Sequence, residues 1–330
     1  MSDRLIDSYD VALFDLDGVV YLGSDPVAGA AEGIAALRES EVRMGFVTNN
    51  AARAPEDVAG HLNELGVVAD VDDVITSSQA AARVLADRLE PGALVLVAGS
   101  PALAAEVAKI GLTPRHADEC EGRPAAVVCG YHPKLRWEEL NEAAFAIADG
   151  ALWVATNSDS TRPTNRGLAP GAGALIDAIK LAVDAEPVIA GKPDRPLMDE
   201  SLRRTGAHNA IFVGDRTDTD VAGAETVGID SLFVFTGAHG KADLLRATHR
   251  PTHLGWSLQA LLEPAHPVQL SDGTATCGDA TATVTCGTIE VNCPPGRSEQ
   301  LDGLRTVLAL AWRDSDLDAT GALAALDEIP

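Results

Sequence analysis

The stretch that decides the fold is Val11-Ala12-Leu13-Phe14-Asp15-Leu16-Asp17-Gly18. Four apolar residues in a row suit a buried strand, and the two carboxylates after them fall at the sheet edge where open α/β folds place their chemistry. Side chains alternate in direction along an extended chain, so Asp15 and Asp17 share one side. Such a pair suits one nucleophile and one proton carrier with a divalent cation between them. Asp17-Gly18 between apolar runs is also a strong hairpin signal, and the octapeptide alone leaves both readings open.

Three distant segments favour the sheet edge. Arg43-Met-Gly-Phe-Val47 ends in Thr48-Asn49-Asn50. Pro187-Val-Ile-Ala190 leads into Gly191-Lys192-Pro193, and Asn209-Ala-Ile-Phe-Val213 ends in Gly214-Asp215-Arg216-Thr217-Asp218-Thr219-Asp220. Each is a strand followed by a polar cluster at the same end. Together they supply a nucleophile, a hydroxyl, an ammonium and an acidic metal site.

In this order the four clusters resemble the haloacid dehalogenase superfamily, which is marked by DxDG, then Ser or Thr, then Lys, then GDxxxxD. The resemblance spans residues 10 to about 260. It implies that Asp15 is a nucleophile forming an aspartyl-phosphate and that Asp17 protonates the leaving alkoxide, then deprotonates the attacking water. It implies one Mg²⁺ held by Asp15, the main-chain carbonyl of Asp17, and Asp215, a set of hard oxygen ligands. Thr48 and the Asn49 amide would hold phosphoryl oxygens, Lys192 would pair with Asp15 and the phosphate, and Asp220 would act from behind the metal ligands. For Asp218 the reading is an amino-terminal cap of the following helix.

Only 31 positions separate Asp17 from Thr48, whereas 144 separate Thr48 from Lys192. The longer interval leaves roughly 100 residues beyond the needs of the core, the size of a small domain. It has its own rhythm: strands at 93–99, 125–131 and 152–156, helices at 101–110, 137–147 and 173–183. The stretch Ala155-Thr-Asn157-Ser-Asp159 through Gly171-Ala-Gly173 is similar to a signature of class IIA-capped (NagD-like) phosphatases acting on nitrophenyl phosphate, phosphoglycolate or glycerol 3-phosphate. Substrate choice belongs to such a cap, with Asn157, Asp159 and His132 as its candidates. Gly171-Ala-Gly173 alone is a weak echo of a dinucleotide turn, and no acidic ribose partner supports it.

The expected fold is therefore α/β: a doubly wound, Rossmann-like parallel core at 1–80 and 187–262, an inserted α/β cap at 81–186, and a small α+β appendage at 263–330. In the appendage, Pro264, Pro267 and Ser271-Asp-Gly273 read as a linker. Short Thr/Val/Cys-rich runs at 274–277, 282–286 and 288–293 read as a meander, followed by helices at 299–312 and 317–326. No function follows from these residues. Cys277, Cys286 and Cys293 lack the CxxC spacing of common zinc sites.

At 330 residues with a net charge of −24, the chain is a poor partner for nucleic acid or an anionic membrane. A phosphate substrate then needs a cation and a lysine to reverse the sign locally. Met1-Ser-Asp-Arg-Leu-Ile-Asp lacks the order of a signal peptide, no apolar run approaches a membrane span, and five cysteines fit a reducing compartment. The expectation is a cytoplasmic phosphatase for a small phosphorylated metabolite, glycerol 3-phosphate or phosphoglycolate first, with a homodimer as a further option. Phosphotransfer or mutase chemistry on the same intermediate, or a non-catalytic binding role, are the rivals.

Overall fold

Strand Val11–Asp15 is buried at every position and pairs in parallel with Ala210–Gly214. The ladder continues in parallel through Asp230–Val234 to His253–Gly255. The computed structural model describes residues 4–164 and 166–330. Met1-Ser2-Asp3, part of the stretch read for a leader, lie outside them.

The chain divides into two compact units. The first comprises residues up to Leu22, Pro26–Val42 and Asn209–Pro330; the second comprises Gly23–Asp25 and Arg43–His208. The expected boundaries at 80, 186 and 262 do not coincide with this division.

In the second unit, Arg43–Thr48 pairs in parallel with Val74–Thr76. A separate five-stranded sheet runs Val188–Ile189, Leu152–Ala155, Ala126–Cys129, Leu94–Ala98, Thr113–Arg115, with every pairing parallel. Parallel strands covered on both faces read as unbroken apolar runs, as Leu94-Val-Leu-Val-Ala98 does. Val188–Ile189, expected in the core, extends this sheet instead, pairing with Val154 and Ala155. Helices Trp137–Ala148 and Ala172–Lys180 bury Ala143, Ile147, Ile176 and Ile179 against the sheet.

The last residues of the first unit form a four-stranded antiparallel sheet, Gln269–Ser271, Thr274–Cys277, Ala280–Thr285 and Thr288–Asn292. Ser271 pairs with Thr274, so Asp272-Gly273, expected in a linker, is a two-residue hairpin turn with Gly273 at φ +67°. At the third turn both Cys286 and Gly287 take positive φ, 50° and 82°, the geometry that matches strand twist in tight hairpins. Helix Arg297–Ala311 lays Leu301, Leu304, Val307 and Leu308 along one stripe. These residues share one apolar cluster with Phe233, Leu244 and Leu254 from the parallel part of the unit. The appendage is α+β as expected, yet it contributes to a common core.

Candidate active site

The first unit gathers three carboxylates. Asp15 ends its strand and is 9% exposed, Asp215 follows strand Ala210–Gly214 at 2%, and Asp220 is 1% exposed. Their oxygens lie within 4.8 Å of one another. Asp17 is exposed, its carboxylate outside this group.

Glycines make room for these groups. A Cβ on Gly18, which has φ +91°, would stand 2.5 Å from the Asp215 carboxylate, and one on Gly237 would also collide with Asp215. Gly214 does the same for Asp220. The glycine of DxDG is thus required both by backbone conformation and by the side chain it faces. Asp215 Oδ2 also accepts from the Ala238 amide at 2.6 Å. The loop at 236–239 was not singled out in the sequence, although a Thr-Gly pair just past a strand end is its trace.

Between Asp215 and Asp220 the chain makes a widened π-helical turn, Thr217–Val221. Asp220 Oδ2 accepts from the amides of Asp215 and Arg216, at 3.2 and 3.1 Å. Asp218 does not cap this turn as expected. It lies within the turn, and its two oxygens pair with Arg216 at 3.0 and 2.8 Å.

The second unit supplies the remaining candidates. Thr48 ends its strand, 3% exposed, and its Oγ accepts from the Asn50 amide at 3.1 Å. Lys192 is 2% exposed and is joined to Pro193 by a cis peptide. Asn49 holds Lys192 from the side: its Nδ2 donates to the Lys192 carbonyl at 3.1 Å and its Oδ1 accepts the Lys192 amide at 2.8 Å. A Cβ on Gly191 would stand 2.6 Å from Asn49 Oδ1, which explains the glycine before the lysine. Next door, burial raises the Asp194 carboxyl above its usual range.

The cap signature joins this network. Asn157 Nδ2 donates to the Asn49 carbonyl at 2.8 Å, while its Oδ1 accepts from the Asp159 amide at 3.2 Å. Asp159 Oδ2 accepts from Asn49 Nδ2 at 3.4 Å. Gly171 and Gly173 pack against the backbone of residues 158–161, where a Cβ on Gly173 would meet the Ser158 carbonyl at 2.5 Å. Close packing, rather than nucleotide binding, accounts for that pair. His132 is half-buried and its carbonyl closes a turn with the Leu135 amide at 3.2 Å. Among the described residues no hydrogen bond joins it to Asn49 or Asn157.

The haloacid dehalogenase-like hydrolase family matches residues 12–113, and a HAD-hydrolase-like family matches 189–261. The D-glycerol 3-phosphate phosphatase of Mycobacterium tuberculosis is 46% identical over 255 residues, 77% of this chain and 71% of its own. The chain belongs to the haloacid dehalogenase-like hydrolases. An acid sugar phosphatase of Staphylococcus saprophyticus is 33% identical over 74% of this chain and 94% of its own. A crystal structure of the M. tuberculosis glycerol phosphate phosphatase with magnesium superimposes at TM-score 0.88, 39% identical, covering 99% of both chains. The p-nitrophenyl phosphatase of Archaeoglobus fulgidus matches at 0.71 and 28%, covering 77% of this chain and 98% of its own. Membership in this group makes the chain a hydrolase of the phosphatase kind. Among the described residues no helix is long and apolar enough to cross a membrane.

Proposed function

We propose that the chain is a Mg²⁺-dependent phosphomonoesterase for a small polyol phosphate, glycerol 3-phosphate foremost, and that Asp15 is its nucleophile. The observation that carries this reading is the buried trio Asp15, Asp215 and Asp220. Three like charges so close and so far from water need a cation, and an all-oxygen set suits magnesium over softer metals. Asp15, Asp215 and the Asp17 main-chain carbonyl would hold Mg²⁺, which when bound would supply charge neutralisation at the phosphoryl group.

The remaining steps belong to side chains. Asp15 attacks phosphorus and the ester oxygen departs with a proton from Asp17; Asp17 then takes a proton from the water that releases phosphate. Thr48, the Asn49 amide and Lys192 bind the phosphoryl oxygens, and Asp220 keeps the Asp215 loop in place. Asn157 spends both polar ends inside the protein, so it positions Asn49; Asp159 and His132 stay as the contacts to the leaving group.

Glycerol 3-phosphate comes first because the likeness to the glycerol phosphate phosphatase extends over the whole chain, whereas the nitrophenyl phosphatase covers only 77% of it. In functional terms the division is a core at 1–80 and 187–262, a cap at 81–186 and an appendage at 263–330. With a net charge of −24, the reading also includes a cytoplasmic setting, a small metabolite rather than nucleic acid as partner, and a homodimer that sedimentation would reveal.

The test is inorganic phosphate release from a panel of small phosphate esters, with Mg²⁺ and with EDTA. Glycerol 3-phosphate should be hydrolysed fastest and only with metal. Equal rates in EDTA would reject the metal assignment, and preference for an unrelated ester would reject the substrate.

A further inference from the structure

Cys277 has no partner at zinc spacing in the sequence, but folding gives it different neighbours. His266 precedes the carboxy-terminal sheet, Cys277 ends strand Thr274–Cys277, and Asp302 sits on helix Arg297–Ala311. His266 Nδ1 stands 2.9 Å from Asp302 Oδ1, and Cys277 Sγ stands 3.3 Å from the same oxygen. The three donor atoms lie within 4.8 Å of one another.

We propose that His266, Cys277 and Asp302 form a second metal site, for a zinc-class divalent cation, that ties the entering segment, the sheet and the helix of the appendage together. The donor set of one imidazole nitrogen, one sulfur and one carboxylate is zinc's, and it differs in kind from the all-oxygen trio of the first site. Zinc bonds at tetrahedral angles place nitrogen and oxygen ligands about 3.3 Å apart, and sulfur and oxygen about 3.6 Å. The observed separations fall a few tenths of an ångström short, so small side-chain shifts admit the ion.

The surroundings agree. Ligating carboxylates are themselves pinned by hydrogen bonds, and Arg305 does this to Asp302, with Nη1 2.5 Å from Oδ1 while Nη2 donates to the Leu254 carbonyl at 2.6 Å. Gly278 has φ +54°, and a Cβ there would stand 2.8 Å from Asp302 Oδ2. His266 and Arg305 also line a cavity of about 300 Å³.

Binding would release the Cys277 thiol proton to solvent as the metal–sulfur bond forms. The thiolate and the Asp302 carboxylate together offset the ion's two charges, while Arg305 adds a positive charge beside the same carboxylate.

The test uses the whole chain, stripped with a chelator, returned to millimolar Mg²⁺ and titrated with Co²⁺. One equivalent should give a thiolate-to-cobalt charge-transfer band that Zn²⁺ abolishes. Cys277→Ser should lose the band, and His266→Ala should need at least tenfold more Co²⁺. No band in the unmodified chain, or a band unaltered in either variant, overturns the proposal. Because His266 is half-buried, its variant decides the matter even if Cys277→Ser fails to fold.

Discussion

The side-chain amide of Asn49 grips the main chain of Lys192 on both sides, donating to its carbonyl and accepting from its amide. The lysine's position is thus set by a residue 143 places earlier in the chain. Asn49→Ala keeps the main-chain amide at that position but releases the lysine. Turnover should fall ~10- to 100-fold, the cost of about an ångström of misplacement. Stability should fall by about 1–3 kcal/mol for the two lost bonds. Steady-state kinetics beside thermal melts check both.

Gly237→Ala places a methyl group against the Asp215 carboxylate. The Mg²⁺ concentration for half-maximal activity should rise ~10-fold or more, the order expected when a group supporting a metal ligand is disturbed. An unaltered metal titration would remove Asp215 from the metal site.

Asp15→Asn is nearly isosteric, so circular dichroism should be unchanged while phosphate release falls by roughly 10³-fold or more, the scale of losing a covalent nucleophile. Near-normal turnover would refute the aspartyl-phosphate route.

Truncation after residue 262 should yield insoluble protein. Leu304 and Leu308 are fully buried against a cluster that includes Phe233 and Leu244. Each such side chain contributes about 2 kcal/mol on burial, and removing the helix exposes the other face of the cluster. A soluble, active truncation would show that the appendage is separable.

The clustering of the carboxylates Asp15 and Asp215 was legible because strand, acid and glycine are adjacent in sequence and each is demanded locally. The Asn49 clamp was not, since its side-chain partner is remote and the sequence drew attention to its amide instead. Asp272-Gly273 carries the same hairpin signal weighed at Asp17-Gly18, yet flanking prolines at 264 and 267 made it look like a linker. His266, Cys277 and Asp302 lie 11 and 25 positions apart, on three elements, and no local spacing announces them. The shared core of the appendage was hidden for a related reason: an amphipathic stripe shows which face is covered and says nothing of what covers it.

The π-helical turn Thr217–Val221 sets a limit on how this gene can vary. The Val221 amide donates to the Arg216 carbonyl at 3.1 Å, an i→i+5 bond, and from this widened turn Asp220 Oδ2 accepts from the Asp215 and Arg216 amides. Insertion or loss of a single codon between 216 and 219 would swing Asp220 off the Asp215 and Arg216 amides.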